Sequence, residues 1–209
     1  IEFKNSTQKD FVILKSDGYP TYHLAHVVDD HLMETNPVIR GAEWISSIPK
    51  HIMLFEAFGW EVPRYAHLPI ILGPDRSKLS KRHGAKPASE FRRDGFLRGA
   101  ILNYMALLGW YPGGDKEFMT IDEMINLFDL KDVNSASPIF DIKKLEWMNG
   151  EYVRQMDNQT LKSTLVDFYK GDLEITKFLE SEKYLQLLDL AKTRMKTLAE
   201  FKNLVLHKD

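Results

Sequence analysis

Lys78 and Lys81, three residues apart with Ser80 between them and Arg82 following, are the residues best suited to chemistry in this chain. Ammonium groups on mobile stems at that spacing make a cationic clamp for phosphate oxygens. Between residues 76 and 98, eight Lys/Arg (Arg76, Lys78, Lys81, Arg82, Lys86, Arg92, Arg93, Arg98) face two acids (Glu90, Asp94). That local excess of six sits in a chain of formal net charge −2 and suits polyphosphate or nucleic acid. A solvated charged turn is the alternative for the short basic run.

Arg40, followed by Gly41, is a second candidate. A guanidinium at a strand end can fork onto a carboxylate through two parallel hydrogen bonds. A surface ion pair with Glu43 is the plainer alternative, and Tyr22 could add a hydroxyl nearby. His23-Leu24-Ala25-His26 places two histidines three apart, a spacing that can share a metal. A third ligand would have to come from Asp29, Asp30 or His31. The same string superficially resembles a nucleotide-binding His-x-Gly-His signature, but Ala25 stands where glycine is needed for close approach of an adenine. Asp29-Asp30 is a weak carboxylate pair, because adjacent helix residues diverge by about 100°. Trp110-Tyr111-Pro112-Gly113-Gly114 reads as a rigid aromatic loop, with core and turn as its favoured role.

The elements that must position these residues follow from pattern. His67-Leu68-Pro69-Ile70-Ile71-Leu72 is apolar enough for a short buried strand, stopped by Gly73-Pro74-Asp75, so Lys78 and Lys81 fall on a loop beyond a strand's C-terminal end. In open α/β sheets that edge binds ligands. Upstream, Phe11-Val12-Ile13-Leu14 is β-like, Asp17-Gly18 is a tight turn, and a helix is predicted over 22–34 with Leu24, Val27, Val28 and Leu32 on one face and Asp30 on the other. Val38-Ile39-Arg40-Gly41 predicts a short strand and 43–58 a second helix stopped by Gly59. This alternation predicts half of a doubly wound sheet. Helices are then predicted over 88–94, 96–108, 120–130 and 141–156, with a capping-box start at Thr120-Ile121-Asp122-Glu123. The remainder to about His207 is helical, with Leu161, Leu165 and Phe168, and then Leu185, Leu188, Met195 and Leu198, as core stripes.

Composition narrows the class. A chain of 209 residues with 44% hydrophobic and 28% charged content is an ordinary globular protein able to bury a core. No apolar run approaches the ~18 residues of a membrane span, and no signal-peptide pattern opens the chain. The absence of cysteine excludes disulfides and thiolate metal sites and suits a reducing compartment. A start at Ile1 suggests a fragment.

A resemblance unites these features. Ser16-Asp17-Gly18-Tyr19-Pro20-Thr21-Tyr22-His23-Leu24-Ala25, Val27-Val28-Asp29-Asp30-His31, Val38-Ile39-Arg40-Gly41 and Lys78-Leu79-Ser80-Lys81-Arg82 resemble, in order and spacing, the bacterial-type glutamyl-tRNA synthetases. Leu102-Asn103-Tyr104, Leu108-Gly109-Trp110, Phe140-Asp141 and Leu145-Glu146-Trp147-Met148-Asn149-Gly150 extend the likeness, which is close over residues 10–156 and looser beyond. It implies a class I aminoacyl-tRNA synthetase, a cytoplasmic ligase joining L-glutamate to tRNA(Glu) with ATP and Mg2+ and without protein-bound zinc. The implied fold is the α/β half of a class I Rossmann-like catalytic domain followed by an all-α region. Its implied divisions are 1–84 (catalytic half with a KMSKS-type loop), 85–156 (helices contacting the tRNA stem) and 157–209 (the start of the anticodon-binding part).

The resemblance also implies roles. Lys81, supported by Lys78, would stabilise charge on the departing pyrophosphate. Ile70 and Ile71 would line the adenine site, with Glu43 and the loop Lys78, Leu79, Ser80, Lys81 and Arg82 around ATP. Tyr22, His26 and Arg40 would hold glutamate, Arg40 pairing with its side-chain carboxylate. Position 26 is often Asn in that family and is His here. The family's HIGH-type motif is missing, so this chain alone is expected to be inactive. A glutaminyl or tRNA-modifying relative and a non-catalytic RNA-binding module are the competing expectations.

Overall fold

The computed structural model describes residues 2–84, 86–114 and 116–206, and not the side chain of Leu185. Ala85, at the first expected boundary, and His207, at the expected helix end, lie outside them, as does the side chain of Leu185 from the core stripe. The chain divides into two compact units, Ile1–Ile70 and Ile71–Asp209.

In the first unit, Asp17-Gly18 turns as its composition demands, with Gly18 at φ +83°. The flanking residues make only a single bridge, Leu14 to Pro20, rather than the β-run expected over 11–14. Helix α1 (Tyr22–Leu32) stops two residues short of expectation, and Glu34 follows in the left-handed region at φ +55°. Val27 is fully buried, but Leu32 is 73% exposed and does not join the apolar face. Strand β1 (Val38–Gly41) lies where predicted and pairs in parallel with β2 (Tyr65–Leu68). The register sets Arg40 opposite His67.

Between the strands, the single helix expected over 43–58 is instead a 3-10 stretch, Ala42–Ser47, followed by α2 (Ile48–Ala57). Ser46 and Ser47 favour turns over helix interiors, and Pro49, without an N–H, fits the first turn of α2. The unit is therefore a right-sized β–helix–β crossover, the local form of a doubly wound sheet. Strand β2 lies earlier than the predicted 67–72, because Pro69 cannot donate to a ladder. Val27, Leu54 and Phe55 form its small core, with Phe11, Trp60 and Val62 against them.

The second unit opens with a tight hairpin. Leu72 bridges Lys78, and the Leu79 N–H donates to the Ile71 carbonyl at 2.9 Å. Helices follow: α3 (Ala88–Arg93), α4 (Arg98–Gly109), α5 (Ile121–Leu127), α6 (Ile142–Gln155), α7 (Asn158–Phe168), α8 (Leu173–Glu180), α9 (Lys183–Arg194) and α10 (Phe201–Leu206). Helix α5 is shorter than the expected 120–130 and has its capping box, with the Glu123 N–H on Thr120 Oγ1 at 3.2 Å and the Thr120 N–H on Glu123 Oε2 at 2.8 Å. Trp110 is core, as favoured, and bridges Val133, with Gly113 and Gly114 turning behind it. Two buried clusters hold the unit together. One centres on Phe91, Tyr104, Phe140, Leu145 and Met148. The other is built on Leu161, Leu165, Leu188, Met195 and Phe201, and Tyr152 packs against both.

Candidate functional site

In the first unit, α1, β1 and α2 bring Tyr22, His26 and Arg40 together, and with them His23 and His51. Arg40 Nη1 lies 3.3 Å from His26 Nε2 and 3.1 Å from His51 Nδ1. A guanidinium only donates, so both of those ring nitrogens accept. The proton of neutral His51 is therefore on Nε2, which donates to His23 Nδ1 at 2.9 Å. The proton of neutral His26 is on Nδ1, facing Asp30 Oδ2 at 2.8 Å, an ion-pair distance without hydrogen-bond alignment. Asp30 thus sits on the inner side of α1 and not on the opposite face.

Burial keeps these rings uncharged. His51 has no exposed surface, and burial, with His26 and Arg40 beside it, pulls its pKa down to about 3. Burial also lowers His23 and His26, against the pull of Asp30 on the latter. His23 meets Nε2 of His51 and His26 meets the Arg40 guanidinium, and among the described residues no group of three or more His, Cys, Asp or Glu is placed to hold a metal ion.

The other edge of Arg40 is different. Nε and Nη2 are buried and have no hydrogen-bond partner among the described residues. The Tyr65 and Trp44 rings flank the guanidinium with centroids at 5.1 and 5.9 Å. Tyr22 stacks on His26 at 5.6 Å and tilts over Trp44 at 4.5 Å. Nearby, the Tyr65 hydroxyl and His67 Nε2 are also buried and without a hydrogen-bond partner among the described residues. Burial raises Tyr65 to about 12 and lowers His67. The side of Arg40 that can fork onto a carboxylate is the side left unsatisfied, amid neutral rings, with the Asp30 carboxylate against the other nitrogen of His26.

Sequence reasoning did not single out His51, Tyr65 or His67. For His51 a signal existed: Ile48, His51, Leu54 and Phe55 share helical spacing, so a histidine stood on an apolar face. Glu43 lies in the 3-10 stretch after β1, and an added Cβ at Gly41 would fall 2.2 Å from its Oε2. The Glu43 carboxylate thus lies directly against Gly41.

In the second unit, Lys78, Leu79, Ser80, Lys81 and Arg82 run from the hairpin into a 3-10 turn, Lys81–His83. Lys78, Lys81 and Arg82 are exposed, while Leu79 packs inward on the Phe91 cluster. Ile70 closes the first unit and Ile71 opens the second, both half-buried.

Comparison with known proteins gives a family. The model of class I tRNA synthetases (E and Q), catalytic domain, matches residues 1–147. A glutamate–tRNA ligase of Dehalococcoides mccartyi (strain CBDB1) is 45% identical over 206 residues, covering 98% of this chain and 42% of that protein. One from Clostridium tetani is 46% identical over 200 residues, 96% of this chain and 40% of the relative. The crystal structure of a glutamate–tRNA synthetase from Elizabethkingia anophelis superposes with a TM-score of 0.82 at 36% identity, covering 95% of this chain and 43% of that one. A glutamate–tRNA ligase structure from Elizabethkingia meningosepticum, in complex with its amino acid, gives 0.82 at 35% identity, covering 95% and 42%. The chain thus spans about two fifths of the length of these relatives.

Proposed function

This chain belongs to the class I tRNA synthetases for glutamate and glutamine, and we propose that it is the glutamate-activating, tRNA-contacting portion of a glutamate–tRNA ligase. The observation that carries this is the Nε/Nη2 edge of Arg40, a buried fork without a partner among the described residues, in a setting of neutral rings. A glutamate side-chain carboxylate supplies the charge and the two acceptors that edge lacks. Tyr22 and His26 shape the same site, and the neutral state of His26 leaves Arg40 as the cation in charge of recognition.

Activation joins the α-carboxylate of glutamate to the α-phosphorus of ATP and expels pyrophosphate. Lys81 stabilises the charge that collects on the leaving group, and Lys78 supports it. Glu43, Ile70, Ile71, Leu79, Ser80 and Arg82 are assigned to the nucleotide. Magnesium enters with the phosphates of ATP, and no protein-bound zinc is needed. Residues 1–84 serve catalysis, 85–156 meet the tRNA(Glu) stem, and 157–209 begin the anticodon-binding part. The setting is the cytoplasm, and no helix among the described residues is long and apolar enough to cross a membrane.

The test is calorimetric titration of a non-hydrolysable glutamyl-adenylate analogue into these 209 residues and a Lys81→Ala variant at fixed salt. Binding that weakens about tenfold or more in the variant supports the assignment. These residues alone should show no glutamate-dependent pyrophosphate exchange, and should regain it only with the remainder of the enzyme. If neither chain binds the analogue while both bind tRNA, only an RNA-binding role survives.

A further inference from the structure

The loop that carries Lys78 and Lys81 is tied to itself by a side-chain network whose two ends, Asp75 and His83, have no role assigned above. Asp75 is its hub. Oδ1 accepts from the Ser77 N–H at 2.9 Å and the Ser77 hydroxyl at 2.7 Å. Oδ2 faces His83 Nε2 at 3.2 Å and Arg82 Nη2 at 3.4 Å. Arg82 Nη2 also donates to Ser77 Oγ at 3.2 Å. The network spans the loop from its entry to its exit, and Arg76 between the two sides holds a left-handed φ of +60°.

His83 is built in while its neighbours are not. Its side chain is 9% exposed, against 52% for Asp75 and 70% for Arg82. The ring lies on Gly73 so closely that a Cβ there would fall 2.5 Å from Nδ1. The Ser80 N–H points to Nδ1 at 3.3 Å, which makes Nδ1 an acceptor and puts the proton of a neutral ring on Nε2. Yet Arg82 Nε–H also points to Nε2, at 3.0 Å. Two hydrogens cannot occupy that line.

With a neutral His83 ring, the network therefore has two exclusive proton arrangements. In one, His83 Nε2–H donates to Asp75, Nδ1 accepts from the Ser80 N–H, and Arg82 gives up the ring. In the other, Nε2 accepts from Arg82, and Nδ1–H donates to Ser80 Oγ, which lies at 3.3 Å. The ring then no longer donates to Asp75, and the Ser80 N–H loses its acceptor. Each arrangement fixes Ser80 differently, and Ser80 adjoins Lys81.

We propose that Asp75 and His83 are positioning residues, a two-state latch that sets the loop of residues 78–82 and engages or releases Arg82 as the loop changes state. The catalytic consequence rests on the activity proposed above, but the latch itself does not. Neither residue is required to touch ATP or glutamate. They act through the backbone at Ser80 and so through the placement of Lys81. A misplacement of about 1 Å at a charge-stabilising group costs on the order of 100-fold in rate.

Two measurements test this. Nitrogen-15 histidine spectra of the 209-residue chain report the His83 tautomer directly. Mixed-tautomer shifts in the wild type, moving to a pure Nε2–H form in Arg82→Ala, support the latch, whereas a wild-type ring already fixed in one tautomer and unmoved by Arg82→Ala overturns it. In the full-length enzyme, glutamate-dependent ATP–pyrophosphate exchange is compared for Asp75→Asn, His83→Phe and the double variant. Asp75→Asn keeps an acceptor for Ser77 and loses the carboxylate facing His83 and Arg82. The expected result is a fall in kcat of about 10- to 100-fold with the KM for glutamate unchanged. The double variant should be no worse than the worse single, and Asp75→Glu should recover part of the loss. Single variants at wild-type rate, or losses that multiply in the double, overturn the catalytic role. A wild-type enzyme that does not exchange pyrophosphate removes the proposed function instead, and the spectra still decide the latch.

Discussion

At Arg40 a single guanidinium does two jobs that a lysine could not combine. Nη1 serves His26 and His51 while the Nε/Nη2 edge stays unpartnered. An Arg40→Lys enzyme keeps the charge but loses the fork and at least one of the histidine contacts. Calorimetry should show affinity for the glutamyl-adenylate analogue falling about 10- to 100-fold, in line with the roughly 1.5–3 kcal/mol of a charge-assisted hydrogen bond. Retained affinity would mean that the carboxylate is bound elsewhere. Three residues of this cluster, Tyr22, His26 and Arg40, were legible because they lie in ordered motifs. Tyr65 and His67 were not, because a residue paired across a parallel sheet leaves no trace in local spacing: Arg40 meets His67 only through the strand register. The shape of His23-x-x-His26 suggested a shared metal, but each ring answers to a different donor.

At the scale of elements, one of the motifs that looked most like a family signature turns out to build the core. In Leu145-Glu146-Trp147-Met148-Asn149-Gly150, Leu145, Met148, Asn149 and Gly150 are all buried on α6. Asn149 Oδ1 accepts the Leu97 N–H at 2.7 Å, and its Nδ2 donates to the Lys196 carbonyl at 2.5 Å. One side chain thereby clamps the start of α4 to the segment after α9. Asn149→Leu preserves volume but strands the Leu97 N–H in the interior, at about 1–3 kcal/mol, and takes the amide away from the part-buried Lys196 carbonyl. Thermal or urea unfolding of this variant should show a loss of about 2–5 kcal/mol, with histidine contacts in the first unit untouched. A near-neutral result would mean that water replaces the amide. Helices α3 to α6 were readable from apolar period and glycine stops, whereas α7 to α10 were legible only as one undivided helical stretch. The 3-10 stretch Ala42–Ser47 was missed because apolar spacing continues through it, and only the pairing of Ser46-Ser47 with Pro49 marks the change.

At the scale of the whole molecule, the two units differ in how they are held and how they titrate. The first rests on a small core and encloses four histidines, His23, His26, His51 and His67, all lowered by burial. An unfolded chain takes up protons at these rings below about pH 6.5, while the folded unit refuses them. Stability of the unit therefore falls as pH drops from 6.5 toward the folded values, by up to about 1.4 kcal/mol per pH unit for each ring that stays neutral. The second unit has a larger core, and its shifted acids move the other way. Hydrogen bonds from Lys116 and Thr120 pull Glu123 down to about 2, and hydrogen bonds from Ser77 do the same for Asp75. Such depressed carboxylates stabilise the fold above their ordinary values of 4.5 and 3.8, and that contribution is lost only as pH falls below them. Acid should thus open the first unit before the second and leave the helices of the second standing. Hydrogen exchange read by mass spectrometry between pH 7 and 4, corrected for intrinsic rates, should show protection lost in peptides from residues 22–68 near pH 5, while peptides from α6 and α9 remain protected. His51→Gln, which removes the most strongly shifted ring, should flatten the pH dependence of the first unit even if it lowers stability at pH 7. Simultaneous loss of protection in both units would show that they unfold as one body and that histidine burial does not govern the order.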